Sequence, residues 1–521
     1  MKSELPVFTY QTRLRLPPEE EVILDDYAEL MSRVERKLFA AMSAGKNPND
    51  LKAEFLTTFG ITARQFNAIR IQLEGKIDSI KRRRVNQIEE NKSRIQELEK
   101  KIERLEQQKA KPLIIHLKKR RLFSMQCKLN NLISDHDMGT VRICFGSKKL
   151  FRAQFNLEAN ELTSHEQWQS EWQQARNNAF FLLGSKDETA GNQSCTATIQ
   201  NDSFNLRLRL PNSLNQHGKY LTISDIKFKY GHTVLLANLQ DCLTRNYLIK
   251  IKDPTYKEFG QAISYRFKRD KKGWLLFLST SLPEPKWITR KELGSIGIDI
   301  NADHLAVVET DRFGNPIKNK SIPLNTYGKS SQQTKALIGD AIAEIVQWSV
   351  CSQKPIVLEK LDFQKKKTEL KELGYSKYSR MLSSLAYSAI ISHVKSRAWR
   401  FGVKVEQVNP AFTSIIGRVK FAKRYGLTIH ESAALCIARR SQGVSEQLPR
   451  HMDEIPDGKS NHVALPLPER KRGQHVWSLW RLVKKKLSVV LAAHFQAIKN
   501  RSPSRSPPAC CDRENPLGFC W

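Results

Sequence analysis

Two short apolar segments, far apart in the chain, each carry one acidic residue near their carboxyl end. The first runs from Ile296 to Ile300 and contains Asp299, and the second begins at Pro355 and ends at Glu359. An apolar run of about four to eight residues indicates a buried strand. A carboxylate is costly to bury unless it meets a cation or a network of hydrogen bonds. The two segments therefore predict buried strands whose acids serve a purpose other than packing.

The region from Gly294 onward alternates strand and helix patterns, which indicates an α/β domain. Besides the two acidic strands, these patterns cover residues 305–310, 332–350, 378–401, 403–408 and a helix from about Thr428. In such a domain two strand-borne acids suit a divalent-metal site, because hard oxygen ligands on Mg²⁺ activate water and stabilise a phosphoryl transition state. Each acid taken alone is more often a helix cap or an ion-pair partner.

The helix predicted after Thr428 carries two titratable side chains in its first turn, His430 and Glu431. The small residues Ala433 and Ala434 follow them and would let the helix pack closely against a sheet. Taken alone, His430 is most simply a cap or a surface histidine, so its role depends on what the helix packs against.

The part of the chain before Gly294 has a different character. Residues 7–16 and about 140–283 contain alternating apolar and polar residues, which is typical of antiparallel strands. Within residues 206–210, three leucines alternate with two arginines. The Asp-Lys-Lys-Gly segment at 270–273 lies between two strand patterns and predicts a hairpin turn. We therefore expect one antiparallel sheet or barrel with a basic outer face.

Helical periodicity covers about residues 19–111. Apolar residues recur there with the spacing of a coiled-coil seam. The seam residues are Ile88, Ile95, Leu98, Ile102 and Leu105. Packing within one chain explains the seam better than an oligomerisation zipper, so we predict a helical hairpin or a short coiled coil.

The chain is strongly basic, with 86 Lys and Arg against 53 Asp and Glu and a net charge of +33. Such a charge on a folded chain points to a polyanionic partner, and nucleic acid is the first choice because each neutralised phosphate releases a counterion. A basic run on a solvated face is the alternative at each position. The residues that we expect to contact nucleic acid are Arg82, Arg83, Arg84, Lys119, Arg120, Arg207, Arg209, Lys365 and Lys366.

Simple counts exclude other classes of protein. The chain has no run of about 18 apolar residues, so we expect neither a membrane span nor a membrane partner. The first residues lack the apolar core of a secretory signal. Nine cysteines among 521 residues are irregularly spaced, which fits a reduced cytosol better than a disulfide scaffold.

Taken together, the segments between about residues 294 and 440 resemble the TnpB (OrfB) proteins of bacterial insertion sequences, which are relatives of the type V CRISPR effector nucleases. Ile-Gly-Ile-Asp-Ile-Asn at 296–301 resembles the first part of their split RuvC-like nuclease, which has an RNase H fold. Ile-Val-Leu-Glu-Lys-Leu-Asp-Phe at 356–363 resembles the second part. The resemblance implies that Asp299 and Glu359 are the metal-binding acids.

The chain departs from the family pattern in the third part, where the family has an aspartate and this chain has His430. His430 is then a metal ligand, a base that activates water, or the mark of a weakened nuclease. Asp303 and Glu431 are the alternative carboxylates, and Asn301 is better explained as a turn residue.

The family also commonly carries a zinc ribbon before the third part. No cysteine lies between Cys351 and Cys436, so four thiolate ligands cannot be assembled there. We therefore expect no zinc, and Mg²⁺ or Mn²⁺ as the cofactor.

The implied fold is multidomain α+β, with a helical recognition module and an antiparallel β wedge-like domain followed by a RuvC-like α/β nuclease domain. The expected boundaries are 1–18 and 140–290 for the wedge-like domain, 19–139 for the recognition module, 294–468 for the nuclease domain, 469–500 for a C-terminal amphipathic helix and 501–521 for a disordered tail.

The resemblance implies an RNA-guided, metal-dependent DNA endonuclease of a transposable element. Its partners would be a guide RNA and target DNA, with one monomer per guide RNA, in the bacterial cytoplasm and associated with the nucleoid. Two alternatives stay open. One is an RNA-guided DNA-binding protein whose nuclease is weakened or dead, and the other is a conventional DNA transposase, because an RNase H fold hosts both chemistries.

Overall fold

The computed structural model describes residues 5–301, 303–326, 328–360, 384–449, 454–457, 462–469 and 475–501. The chain is a mixed α+β protein. It divides into two compact units, Met1–Pro283 and Glu284–Trp521, and each is described by itself.

The first unit contains a four-stranded antiparallel sheet of β1 (Val7–Arg13), β2 (Ala179–Leu182), β6 (Ile263–Asp270) and β7 (Gly273–Ser281), in the order β1-β7-β6-β2. The predicted hairpin joins β6 to β7, and Asp270 pairs with Gly273 across a two-residue turn. Gly273 has a φ of 102°, which a residue with a Cβ rarely adopts. Strand β1 therefore brings the amino-terminal segment onto the hairpin of residues 263–281.

A second, three-stranded antiparallel sheet contains β3 (Cys195–Gln200), β4 (Ser203–Arg209) and β5 (Tyr220–Ile226) in that order. Leu206 and Leu208 are buried while Arg207 is exposed, so the predicted basic outer face is present on this sheet. The expectation of one sheet or barrel is wrong, because the strands form two sheets. Alternation specifies which face of a strand is buried but not which strand it pairs with.

The predicted helical hairpin is confirmed. Helix α3 (Ala63–Gln107) is followed after four residues by α4 (Pro112–Asp137). Ile88, Ile95, Leu98 and Ile102 are buried on α3, as expected for a seam with a partner helix on one side. The other helices of this unit are α1 (Pro18–Ser43), α2 (Lys52–Phe59), α5 (Lys148–Ala153), α6 (His165–Arg176) and α7 (His232–Lys250).

The second unit is built on a five-stranded sheet in the order β10-β9-β8-β11-β12. Its strands are β8 (Ile296–Ile300), β9 (His304–Thr310), β10 (Pro316–Pro323), β11 (Ile356–Glu359) and β12 (Val405–Val408). Neighbours among β8, β9 and β10 are antiparallel, whereas β11 is parallel to both β8 and β12. The alternation of strands and helices predicted from Gly294 onward is present.

Helices cover both faces of this sheet. On one face, α8 (Ser331–Ser352) and α9 (Ser384–Arg400) pack on residues such as Ile298 and Leu358. On the other face, a core around Val308 and Trp480 includes side chains of α12 (Ile429–Ser441) and α13 (Val476–Arg501). The short helices α10 (Thr413–Ile416) and α11 (Lys423–Tyr425) flank a π-helical segment at Gly417–Ala422. The acidic strands therefore lie in the middle of a three-layer unit.

The remaining elements are a two-stranded pair, β13 (Ile455–Pro456) and β14 (His462–Val463), and 3₁₀ turns at Glu158–Asn160, Thr189–Gly191, Asn212–His217, Pro254–Glu258 and Lys291–Leu293. Helix α13 corresponds to the predicted amphipathic helix. The predicted tail beyond Arg501 lies outside the described residues. Of the described helices, none has an apolar stretch long enough to cross a membrane.

Candidate active site

The two acids predicted from the sequence lie side by side at the carboxyl ends of two neighbouring strands. Ile298 on β8 pairs with Leu358 on β11 in a parallel register, so the next residues are Asp299 and Glu359. Paired residues of parallel strands point to the same face, and this face is opposite to the one that Ile298 and Leu358 fill. Both acids are buried, each with 6% of its surface exposed.

Helix α12 packs against β8, and every second residue of the strand contacts every fourth residue of the helix. The Ser295 hydroxyl donates to the Ala438 carbonyl at 3.0 Å. A Cβ on Gly297 would come within 2.1 Å of the Ala434 carbonyl oxygen, so only glycine allows this approach. Two strand residues span about 6.7 Å and four helix residues about 6 Å. The same spacing, continued by two strand residues, brings Asp299 opposite the first turn of α12.

His430 occupies that first turn and contacts Asp299. Its Nδ1 lies 3.1 Å from Asp299 Oδ2, and its side chain is half-exposed. The turn is fixed by a capping box, in which the Thr428 hydroxyl accepts from the Glu431 amide and the Glu431 carboxylate accepts from the Thr428 amide. The cap holds the helix start in one place, and His430 is held with it.

The turn between β8 and β9 adds polar groups next to Asp299. The Asn301 amide donates to Asp299 Oδ2 at 3.1 Å and also lies 3.4 Å from His304 Nε2. His304 Nδ1 lies 2.7 Å from Asp303 Oδ1, and this carboxylate orients the ring. The rings of His304 and His430 meet edge to face with centroids 5.0 Å apart. His430 therefore contacts the buried carboxylate directly, and His304 is linked to it through Asn301.

Glu359 is held from the loop that follows β12. The buried Thr413 hydroxyl donates to Glu359 Oε1 and also lies 3.1 Å from the Pro410 carbonyl oxygen. Phe412, just before it, has a φ of 63°, a region that costs energy for a residue with a bulky side chain. The Arg440 guanidinium on α12 donates to the Ala411 carbonyl at 2.9 Å. The loop is thus pinned to α12, the helix that carries His430.

Two side chains near the acids have raised pKa values. Burial, together with the negative charges of Glu359 and Asp299, raises the pKa of the Tyr387 phenol well above its ordinary value. Burial raises the pKa of the Cys436 thiol to about 12, so this cysteine stays neutral and offers no thiolate. The carboxylates of Asp299 and Glu359 are oxygen donors of the kind that hard divalent cations prefer.

The structure brings together a pair of acids rather than a complete ligand set. Among the described residues, no three His, Cys, Asp or Glu side chains converge closely enough to form a metal cluster. Asp299 and Glu359 fit a divalent cation by chemistry, burial and register, and His430 adjoins Asp299.

The alternative carboxylates have other roles in this structure. Glu431 accepts from the Asn319 amide at 2.7 Å and caps its own helix through Thr428. Burial raises the pKa of Glu431, but these hydrogen bonds outweigh it, and the pKa lies below its ordinary value. Asp303 is engaged by His304. Neither carboxylate contacts Asp299 or replaces His430 beside it.

Two residues that the sequence left aside are part of the site. Asn301, explained above as a turn residue, binds Asp299 through its side chain, and His304 joins it from the start of β9. Thr413, which donates to Glu359, was not singled out from the sequence. Asn301 and His304 follow Asp299 by two and five positions. Because the turn between the antiparallel strands β8 and β9 is short, this spacing could have identified both residues from the sequence.

The predicted nucleic-acid contacts lie in different environments. Arg82, Arg83 and Arg120 are exposed, and Lys119 pairs with Glu106 at 2.8 Å on the surface of the hairpin. Lys365 and Lys366 lie outside the described residues. The exposed residues stay predictions.

Arg84 differs from its neighbours. Only 4% of its surface is exposed, and its guanidinium donates to the carbonyls of Asp135 and Thr140 at 2.5 Å each. A helical periodicity explains the difference, because Arg84 is four residues before Ile88 and so faces the seam. Arg84 therefore holds the end of α4 instead of presenting its charge to a phosphate, which corrects the expectation drawn from the run of basic residues.

Comparison of this chain with known proteins finds only weak similarity, and only to solved structures. No family model matches the chain, and no curated protein matches its sequence. Among solved structures, the chain is similar to RuvC of Thermus thermophilus, both alone and in complex with a Holliday junction substrate; each comparison has 15% identity, covers 28% of this chain and 90% of RuvC, and gives a TM-score of 0.21. A cryo-EM structure of a CRISPR-Cas12f ternary complex gives 12% identity, covers 83% of this chain and 98% of that chain, and has a TM-score of 0.18. At such scores the likeness carries no argument, and the site geometry has to support the function.

Proposed function

We propose that this protein is a RuvC-like nuclease of the TnpB kind, which hydrolyses DNA phosphodiester bonds under the direction of a guide RNA. The observation that carries the proposal is the pair of buried acids, Asp299 and Glu359, adjacent in register with His430 against the first of them. Burying two neighbouring carboxylates is costly without a compensating cation. Hydrogen bonds from Asn301 and Thr413 offset part of that cost, and a bound divalent cation would offset more of it.

The sheet supports the same proposal. Three antiparallel strands followed by two parallel ones, with the first strand central, is the strand arrangement of an RNase H fold. In this arrangement the central strand β8 carries Asp299 and its parallel neighbour β11 carries Glu359. Acids at the carboxyl ends of adjacent strands are where an open α/β sheet places its ligands.

Asp299 and Glu359 would hold Mg²⁺ or Mn²⁺ through their oxygens. Such a cation, when bound, supplies positive charge for the phosphoryl transition state and activates water. Thr413 fixes the orientation of the Glu359 carboxylate, and Asn301 fixes that of Asp299. The protein itself therefore orders both acids before any substrate arrives, which is what an efficient site requires.

His430 has a geometry suited to handling a proton. Its Nδ1 faces Asp299, and among the described residues Nε2 of this half-exposed ring has no hydrogen-bond partner. An imidazole oriented by a carboxylate through one nitrogen can accept a proton at the other. His430 would thus accept the proton of the attacking water, with the 3′ oxygen of the substrate leaving from the opposite side of the phosphorus.

The strong positive charge supports nucleic-acid partners. The net charge of +33 and the exposed arginines on the α3–α4 hairpin and on β4 fit contacts to phosphates. Binding of this kind responds to backbone charge and helix shape more than to base sequence. We place guide RNA and target DNA on these surfaces, with one protein per guide, in the bacterial cytoplasm near the nucleoid.

A second candidate is an RNA-guided DNA-binding protein with a weakened or dead nuclease. The observation that favours it is the imidazole of His430 where a third carboxylate is expected, together with only two acids at the site in the part of the chain that the structure describes. The two candidates differ in metal-dependent cleavage and agree in guided binding.

The experiment is co-purification followed by a cleavage assay. The protein is expressed with its native flanking DNA, the bound RNA is sequenced, and the complex is incubated with Mg²⁺ and a plasmid library. We expect one discrete RNA and cutting next to a short motif. Binding without cutting would favour the second candidate, and the absence of a discrete RNA would refute guidance.

A further inference from the structure

One exposed tyrosine in the first unit is surrounded by cations. Arg207 places its guanidinium carbon 3.8 Å from the centroid of the Tyr220 ring, and Arg209 lies 5.6 Å away. The Lys219 ammonium lies 5.7 Å from the same centroid. Tyr220 is 38% exposed, so the cluster lies at the surface.

The sheet register builds this cluster. Tyr220 on β5 pairs directly with Arg209 on β4, and Thr222 pairs with Arg207. Arg207 and Tyr220 are therefore diagonal neighbours on one face, a distance that a long side chain spans. The leucines between the arginines are buried on the other face. Because the side chains of β4 alternate, both arginines are forced to the outside.

The described part of the protein offers no carboxylate that would neutralise the positive charge of the cluster. Within the described part of the chain, no carboxylate lies within salt-bridge distance of Arg207, Arg209 or Lys219. The Arg209 guanidinium donates to the Lys219 carbonyl and to Asn212 Oδ1, and both acceptors are uncharged. Three like charges around one ring repel one another, and an anionic partner would relieve the repulsion.

Neutral hydroxyl groups complete the same face. Thr196 on β3 lies opposite Arg207, which in turn lies opposite Thr222 on β5. Ser224 follows two residues after Thr222 and is exposed on the same side. Such groups can donate to and accept from a ribose 2′-hydroxyl, which is the group that distinguishes RNA from DNA.

We propose that the outward face of the β3-β4-β5 sheet binds single-stranded RNA. One base stacks on the planar surface formed by Tyr220 and Arg207, and the flanking phosphates meet Arg209 and Lys219. An aromatic ring beside cations on an open sheet is how single strands are bound with little sequence preference. Paired RNA does not fit, because its bases are stacked inside the helix and cannot lie on the ring. The inference rests on the proposed function in that it assigns a surface to the RNA partner.

The test is fluorescence anisotropy with the full-length protein, freed of co-purified RNA, and a labelled single-stranded RNA of about 12 nucleotides. We expect Tyr220→Ala to weaken binding about tenfold, in line with the loss of one stacked base, and Tyr220→Phe to stay within about twofold. Arg207→Lys keeps the charge but removes the planar group, and we expect it to weaken binding as well. Tyr247→Ala removes a tyrosine that is 62% exposed on α7 of the same unit and should leave the affinity unchanged.

Unchanged RNA affinity in Tyr220→Ala, with a melting temperature equal to that of the wild type, would overturn the inference. Equal losses for single-stranded DNA and RNA would overturn the assignment to RNA, and an equal loss for duplex RNA would overturn the stacking. The readout is binding without cleavage. Tyr220-dependent RNA binding by a protein that never cuts DNA would therefore refute the nuclease and support this surface.

Discussion

Replacing Gly297 with alanine tests how closely α12 is tied to the acidic strand. The added Cβ would lie 2.1 Å from the Ala434 carbonyl oxygen and 2.8 Å from the Ala438 backbone nitrogen. Ordinary contact begins at 3.4 Å, so the helix has to move away by about 1.3 Å, the difference between 3.4 and 2.1 Å. Overpacking of this kind costs about 1–3 kcal/mol.

The same movement affects the site. His430 Nδ1 lies 3.1 Å from Asp299 Oδ2, and a shift of about 1.3 Å in the helix would take this pair beyond hydrogen-bonding distance. We therefore expect Gly297→Ala to lose most of its cleavage activity as well as stability. A displacement of about 1 Å at a catalytic group can cost about a hundredfold in rate.

The assay is thermal unfolding together with plasmid cleavage by the RNA-loaded protein. Gly297→Ala should lower the melting temperature by about 2–4 °C for each kcal/mol lost. Gly339→Ala is the matched control, since it lies in α8 of the same unit and an added Cβ there meets nothing within 4 Å. We expect the control to be more stable by about 0.5–1 kcal/mol, because alanine favours a helix over glycine. Wild-type stability and cleavage in Gly297→Ala would refute the close approach of helix and strand.

Three further substitutions test separate parts of the second unit. His430→Ala should lower cleavage while His430→Asp preserves or raises it, and equal rates for both variants and the wild type in a plasmid assay would remove His430 from the chemistry. Thr413→Val should weaken Mn²⁺ binding about tenfold or more, as loss of a group that orients a ligand does, whereas Thr413→Ser should not; a calorimetric titration that finds equal affinities would contradict this. Lys354→Met removes the ammonium that lies 2.6 Å from the buried Glu309 carboxylate and leaves the Trp348 indole as its donor. The loss of the cation should cost about 3–5 kcal/mol in chemical unfolding, and a loss under about 1 kcal/mol would disprove that role.

Local patterns in the sequence predicted the acidic strands and the helical hairpin. Both depend on local patterns, which are an apolar run for each strand and the spacing of apolar residues for the hairpin. Asp299 and Glu359 lie near the carboxyl ends of apolar runs, and the parallel register of β8 with β11, which only the structure supplies, brings them together. The seam from Ile88 to Ile102 was recognisable for the same reason, since its spacing already defines one face of a helix.

Features that depend on distant pairing could not be read from the sequence. The strands of the first unit form two sheets because pairing partners are chosen by the whole chain. Thr413 contacts Glu359 at a sequence separation of 54, from a loop in which the preceding residue, Phe412, has a positive φ. Arg84 lies on the seam face, four residues before Ile88, but the carbonyls of Asp135 and Thr140 that it binds could not be read from the sequence.

The groups that surround Asp299 are the point at which sequence and structure differ most. The sequence suggested a site of three groups, Asp299, Glu359 and His430. The structure shows the first two adjacent and the third against Asp299, with Asn301 and His304 beside it. The donors that surround a carboxylate depend on the conformation of the neighbouring turn to within an ångström or two. Residue spacing in the sequence does not define that conformation.

Cleavage by Glu359→Gln tests the central claim most directly. The substitution removes one buried charge and keeps the size of the side chain and an oxygen for the Thr413 hydroxyl. With the guide RNA bound and Mg²⁺ present, we predict that cutting falls by about a hundredfold or more while the bound RNA is the same as in the wild type. Wild-type cleavage by Glu359→Gln would contradict the account, because the acid pair would then have no part in the reaction.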